Sequence, residues 1–267
     1  MKVVGPVYFM HIPKTSGTSV HRYLADALGE QAVSPPMLWD ALAGAAPPDP
    51  RRWQVWCGHF GGLFPLWLRA WPFIVAFLRE PVARALSHIN HVQRAPEHPL
   101  HAEAKSLSVA DYCASPRMAR TVENYQARYL ASLCFSADLM RSGGGRPYAA
   151  VSLRMDENLW SLDRATDLLP SALRALDCID VVGICEAGRA SLDAVASALG
   201  LPPPKTDYHL NRAAPEQHSV ATLDAADRAA LEQVTEVDRA VYEAATRRFR
   251  TDCRRWGIPD GMPIPAP

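Results

Sequence analysis

The sequence predicts an α/β fold with a central, mainly parallel sheet flanked by helices. Short β-branched and aromatic runs recur along the chain, each bounded by Gly, Pro or a charge, as fully buried strands are. Between them lie longer segments with apolar residues at i, i+3, i+4 spacing. Strands alternating with helices in this way close into a parallel sheet covered on both faces. Of 267 residues, 48% are hydrophobic and 21% charged. That is ordinary globular composition, so a core is affordable and wholesale disorder is excluded.

Val3 to Met10 (VVGPVYFM) reads as the first buried strand. A helix over Gly17 to Leu28 follows, with Val20, Tyr23, Leu24, Ala27 and Leu28 on one stripe. Ser34 to Arg52, rich in Pro and Ala, predicts a loop around one short helical turn. Further strands are expected at Trp53 to Cys57 and Phe73 to Leu78. Pro81 opens the next helix at a position where a missing N–H costs nothing. Its apolar stripe is Val82, Ala85, Leu86, Ile89 and Val92, and the opposite face carries Arg84, Ser87, His88 and His91. Ala95 to Pro116 is polar and mixed, and Met118 to Leu133 predicts a helix. Ser142 to Gly145 reads as a connector. Then come helix Leu162 to Leu176, strand Ile179 to Ile184 and helix Ala187 to Leu199, with Pro202 to Pro204 as a break. A helical pair over Leu223 to Trp256 carries the stripe Val234, Val237, Val241, Ala245, Phe249 and Trp256. One domain over residues 1–257 with a Pro-rich tail at 258–267 is the simplest organisation.

Lys+Arg and Asp+Glu both total 28. A polyanion binder carries a basic excess, so nucleic acid is not the expected partner. The six cysteines form no C-x-x-C and no zinc-finger spacing, and read as buried reduced thiols. No secretory leader is expected: Gly5 and Pro6 interrupt the first apolar run and no cleavage site follows. A cytoplasmic location is the resulting expectation. Phe60 to Leu78 holds one charge, Arg69, in nineteen residues. Two glycines, two prolines and an arginine costing about 2.5–3.5 kcal/mol at mid-membrane argue against a span. It divides better at Pro72 into an apolar turn and a buried strand, with peripheral membrane contact left open.

The most informative segment is His11-Ile12-Pro13-Lys14-Thr15-Ser16-Gly17-Thr18-Ser19. Lying between a strand and a helix, it brings backbone N–H groups to a helix N-terminus, where phosphate binds. Gly17 permits close approach, the hydroxyls of Thr15, Ser16, Thr18 and Ser19 can donate to phosphate oxygens, and Lys14 supplies a cation. A Walker A loop needs its Lys after the last Gly, which this segment does not have. Ordinary helix capping is the alternative. A second anchor is Arg79, at the carboxyl end of the Phe73 strand, with Ser87 eight residues on; Arg and Ser together can hold a second phosphate. An arginine in a structural ion pair is the alternative there.

These two segments, in this order, resemble the sulfotransferases that use 3′-phosphoadenosine 5′-phosphosulfate, closest to the carbohydrate-type branch that includes heparan sulfate 2-O-sulfotransferase. Ile12 to Ser19 is similar to the family's 5′-phosphosulfate loop. Leu78 to Ser87 (LREPVARALS) is similar to its 3′-phosphate motif. Weaker echoes are Asn124 to Leu130, Val181 to Glu186, and His209 to Arg212, the last like a loop that closes near the nucleotide. The resemblance implies a P-loop-like three-layer fold, Arg79, Ser87 and Arg212 as nucleotide contacts, and adenosine 3′,5′-bisphosphate as product. It implies no metal.

His59, in Cys57-Gly58-His59-Phe60, is the candidate base: histidine titrates near neutrality and this one follows a strand at the expected active edge. The resemblance places a base there too. A structural histidine is the alternative. Lys14 is the candidate stabiliser of the leaving phosphate. His88 and His91 are three residues apart on one helix without an acidic or thiol partner, and read as facing acceptor or solvent; His98 and His101 read as acceptor-side. Phe64, Trp67 and Trp71 form either an apolar wall for an acceptor or plain core. Arg247, Arg248, Arg250, Arg254 and Arg255 form a basic face. The expected reaction moves a sulfuryl group to a hydroxyl or an amine, on a glycan, a glycolipid or a small hydroxylated molecule. A small-molecule or nucleotide kinase and a non-catalytic nucleotide-binding module are the competing classes.

Overall fold

The buried run Val7–Met10 (VYFM), strand β1, lies at the centre of a five-stranded sheet. The computed structural model describes residues 5–38, 49–141, 167–206, 208 and 218–259. The other strands are β2 (Met37–Leu38), β3 (Val55–His59), β4 (Phe73–Leu78) and β5 (Val181–Ile184). They are ordered β2-β3-β1-β4-β5 and every pairing is parallel. Helices flank this sheet, giving a three-layer, P-loop-like α/β arrangement as the sequence predicts.

Helix α1 (Gly17–Leu28) leads from β1 towards the β2–β3 side, whereas α3 (Pro81–Arg94) follows β4, on the other side of β1. The direction of winding therefore reverses between β1 and β4. In open parallel sheets, the crevice outside the carboxyl ends at such a reversal is where ligands bind. The segment after β1 and Arg79 after β4 are its two walls.

The predicted elements mostly stand, with instructive shifts. Helices α1 and α3 and strand β4 have the expected bounds. β3 runs two residues later than predicted, so His59 is its last residue, paired with Leu38 of β2, and does not follow the strand. The apolar segment after it forms a turn and the short helix α2 (Phe64–Leu68). Residues 95–116, predicted without regular structure, hold α4 (His101–Ala104) and α5 (Val109–Ala114), and Pro116 starts α6 (Pro116–Ala119). Helix α7 (Tyr125–Arg141) starts seven residues later than predicted, because Asn124 takes a left-handed conformation at φ 44°. α8 (Leu169–Leu176), α9 (Gly188–Leu199), α10 (Ala225–Val234) and α11 (Glu236–Arg255) follow. The glycine connector after Arg141 and the start of the predicted Leu162 helix lie outside the described residues.

The main core fills both faces of the sheet, and a second cluster joins α3, α5 and α10 through Leu86, Ile89, Tyr112 and Leu231. Phe64 and Trp67 are enclosed with Trp56 and Tyr8. They are core, not an acceptor wall. Trp71 does reach solvent, but at the amino end of β4, on the edge opposite the crevice. Within the basic face, Arg248 is structural: it bonds Asp252 and the carbonyls of Leu176 and Ile179. All six cysteines are free thiols. Among the described residues no helix is long and apolar enough to cross a membrane.

Candidate functional site

The loop between β1 and α1 has an unusual backbone. Lys14 (φ 72°) and Ser16 (φ 63°) are both left-handed without being glycine. Each such residue costs roughly 1–2 kcal/mol. What holds them is a set of four side-chain donors on four consecutive carbonyls. His59 Nδ1 bonds the oxygen of His11 at 2.8 Å and Thr15 Oγ1 that of Ile12 at 2.7 Å. Arg84 Nε donates to Pro13 at 3.2 Å and Arg79 to Lys14 at 3.4 Å. At roughly 0.5–1.5 kcal/mol for a neutral bond and more for a guanidinium, these offset the backbone strain. The carbonyls of His11, Ile12, Pro13 and Lys14 are thus all taken up by side chains at the point where the chain enters α1.

The N-terminus of α1 completes this surface. Ser16, its N-cap, makes no side-chain capping bond, and no acidic residue lies in the first turn. Helix α3 differs: the Glu80 carboxylate accepts from the N–H groups of Val82 and Ala83 and closes that end. Of these two helices, α1 is the one whose positive end no side chain closes. Gly17 is required for a reason the sequence did not disclose. A Cβ there would lie 1.7 Å from the His11 ring, so a side chain, not a ligand, is what approaches it. Thr15 is fully buried with its hydroxyl committed to Ile12, so that hydroxyl is not offered to a phosphate, contrary to the prediction. Ser16 lies within hydrogen-bond reach of the Cys185 thiol, which burial pushes up to about 12. Thr18 is exposed and Ser19 half-buried.

Arg79 is fixed through its backbone. Its N–H donates to Gln126 Oε1 and its carbonyl accepts from Gln126 Nε2, both at 2.9 Å. The next N–H, of Glu80, donates to Glu186, whose other oxygen accepts from Tyr242. Arg79 is thereby held at the crevice with its guanidinium against the Lys14 corner. Ser87 lies two turns along α3 and is half-buried. Arg212, with the His209 to Arg212 segment, lies outside the described residues.

Arg84, predicted on the exposed face of α3, is fully buried. It bonds Pro13 and Thr121 and stacks over Tyr125 at 4.2 Å. The helical pattern hid this because the face opposite the core stripe is covered by the phosphate loop and the start of α7. Gln126 was legible only as part of the Asn124 to Leu130 resemblance; no residue-level signal marked its amide as the clamp on Arg79.

His59 presents a defined tautomer. A carbonyl only accepts, so the nitrogen bonded to His11 carries the proton, leaving the Nε2 lone pair as the basic site. The His59 pKa is lowered, chiefly by burial and also by Lys14, despite the bond to His11 that raises it. The ring is therefore neutral at pH 7, the form a base needs. Its neighbour His11, 4.2 Å away between ring centres, is driven down to about 3 by burial and by His59.

No protein-family model matches this chain, and no curated protein matches it.

Proposed function

We propose that this chain transfers a sulfuryl group from 3′-phosphoadenosine 5′-phosphosulfate to a hydroxyl acceptor. The observation that carries the reading is the convergence of Arg79 and the Lys14 loop. These two candidate anion-binding segments follow the carboxyl ends of adjacent strands β1 and β4, and the Arg79 guanidinium lies 3.4 Å from the Lys14 carbonyl. In this reading each takes one phosphate of a single molecule that bears two on its ribose.

In this reading the backbone N–H groups of the loop and the α1 N-terminus hold the 5′-phosphate, and Arg79 with Ser87 holds the 3′-phosphate. Lys14 faces the oxygen on which charge builds as the S–O bond to phosphate breaks. The acceptor oxygen forms the new bond to sulfur in line with the leaving group. Its proton passes to His59 Nε2, and adenosine 3′,5′-bisphosphate departs. A carbohydrate or glycolipid is the proposed acceptor class, and a cytoplasmic location is proposed with it.

The test is a thermal-shift series. Adenosine 3′,5′-bisphosphate at 100 times its dissociation constant should stabilise the protein by about 2.7 kcal/mol, with ADP far weaker at the same concentration. Equal shifts with the two would overturn the reading, and a shift confined to ATP with Mg²⁺ would favour a kinase.

A further inference from the structure

Neither Arg79 nor Arg84 makes an ion pair with any described residue. For Arg84 this is notable because the side chain is fully buried. Its Nη1 and Nη2 both donate to the Thr121 carbonyl at 3.1 Å, Nε donates to Pro13, and the Tyr125 ring covers the fork. Every one of these partners is neutral. Carboxylates do stand nearby, but each is committed elsewhere. Glu80 accepts from the N–H groups of Val82 and Ala83, and Glu186 from the Glu80 N–H and the Tyr242 hydroxyl. Asp238 accepts from the N–H groups of Gln126 and Ala127, and attracts Arg84 only from a distance.

Taking a guanidinium out of water is costly, and carbonyl dipoles with an aromatic face recover only part of the cost. Burial opposes the charge on Arg84, and Arg79 opposes it further. An arginine keeps its proton all the same. The loop between β1 and α1 is therefore backed by a fixed positive charge that no contacting carboxylate balances. Arg79 adds a second on the next carbonyl, Lys14 after Pro13. Away from bulk water such a charge is weakly screened and is felt across the thickness of a loop.

We propose that Arg84 is a positioning residue of the anion site, one that also sets its charge preference. Sealed behind the loop, it shapes the Pro13–Lys14 corner and favours a multiply charged anion without touching it. The identity of that anion rests on the donor reading; the charge preference does not. Calorimetry on the full chain, with adenosine 3′,5′-bisphosphate and with inorganic phosphate, tests it. Arg84→Gln keeps hydrogen-bond donors but not the charge, and should weaken bisphosphate binding about thirty-fold. Arg84→Lys keeps the charge but not the planar fork, and should weaken it only about five-fold. Adenosine 5′-monophosphate, with fewer charges, should lose less than the bisphosphate in Arg84→Gln. Equal losses in the two variants, or for the two nucleotides, would make Arg84 a merely structural support and overturn the proposal. So would failure of Arg84→Gln to fold, since a charge the protein leaves unbalanced is not what holds it together. If the wild type binds inorganic phosphate but not the bisphosphate, and Arg84→Gln weakens the phosphate, the charge preference stands and the donor assignment fails. Binding of neither anion would overturn both.

Discussion

His59 shows how one hydrogen bond sets a chemical role. Because the His11 carbonyl fixes the proton on Nδ1, Nε2 is the nitrogen able to receive one. Its lowered pKa means that the unprotonated form persists below pH 6.5. In sulfuryl-transfer assays the acid limb of kcat/KM against pH should therefore fall below 6.5. A limb above that value, or full activity in His59→Ala, would remove it from the mechanism. General-base loss should cost about 10²–10⁴-fold in rate. Gly17 carries a prediction of a different kind. Its backbone is not strained, so the objection to a side chain is purely the His11 ring. Gly17→Ala should cost about 1–3 kcal/mol in urea unfolding, the usual range for overpacking. Adding His11→Ala should restore most of it; a non-additive cycle is the expected signature of a direct clash.

At the scale of elements, the site depends on how α7 and α11 start. Asn124, left-handed at φ 44°, accepts from the N–H groups of Val237 and Asp238 at the start of α11. Asp238 returns the contact, accepting from Gln126 and Ala127 at the start of α7. Each helix thus caps the other, and the register this imposes places the Gln126 amide on the Arg79 backbone. Gln126→Ala should weaken adenosine 3′,5′-bisphosphate binding about ten-fold, as a loss of roughly 1.4 kcal/mol implies. Binding of adenosine 5′-phosphosulfate, which lacks the 3′-phosphate, should change little, and calorimetry would separate the two. Equal losses for both ligands would mean that the clamp supports the whole fold and not the Arg79 position. The late start of α7 was not legible because Met118 to Leu133 is apolar at helical spacing throughout. Only the tertiary partner at Val237 makes a stop at Asn124 favourable.

Over the whole molecule, burial of histidine sets the acid stability. His11, His59, His88, His91 and His98 all have pKa values lowered in the fold, with burial the leading cause in each. The unfolded chain, with histidines near 6.5, binds more protons than the folded one below that pH. Stability is therefore lost as pH falls from 6.5, a window that extends to about 3 for His11. Asp238 acts in the opposite sense: burial raises it from 3.8 to about 6, so its effect erodes stability as pH rises through that interval. Asp180, also raised by burial, acts in the same sense as Asp238; five histidines outweigh these two carboxylates, and His11 by itself contributes a loss of about 2 kcal/mol between pH 7 and 5. Urea midpoints should drop over that range, and His11→Gln should flatten the dependence. A midpoint that rises on acidification would show the buried rings to be charged.

The sequence by itself determined the alternation of buried strands and amphipathic helices, hence the parallel sheet, because strand burial and helical periodicity are local in the chain. It also determined that a strand-to-helix corner with Lys, Thr, Ser and Gly would follow β1 and that an arginine would end β4. Only the tertiary structure decided that these two meet. Their pairing depends on β4 lying directly beside β1, on the far side from β3, and strand order is a property of packing between segments distant in sequence. The tertiary structure also decided that Arg84, Gln126 and His11 serve the loop. A residue's polarity predicts that it needs partners, but the partners are supplied by other elements.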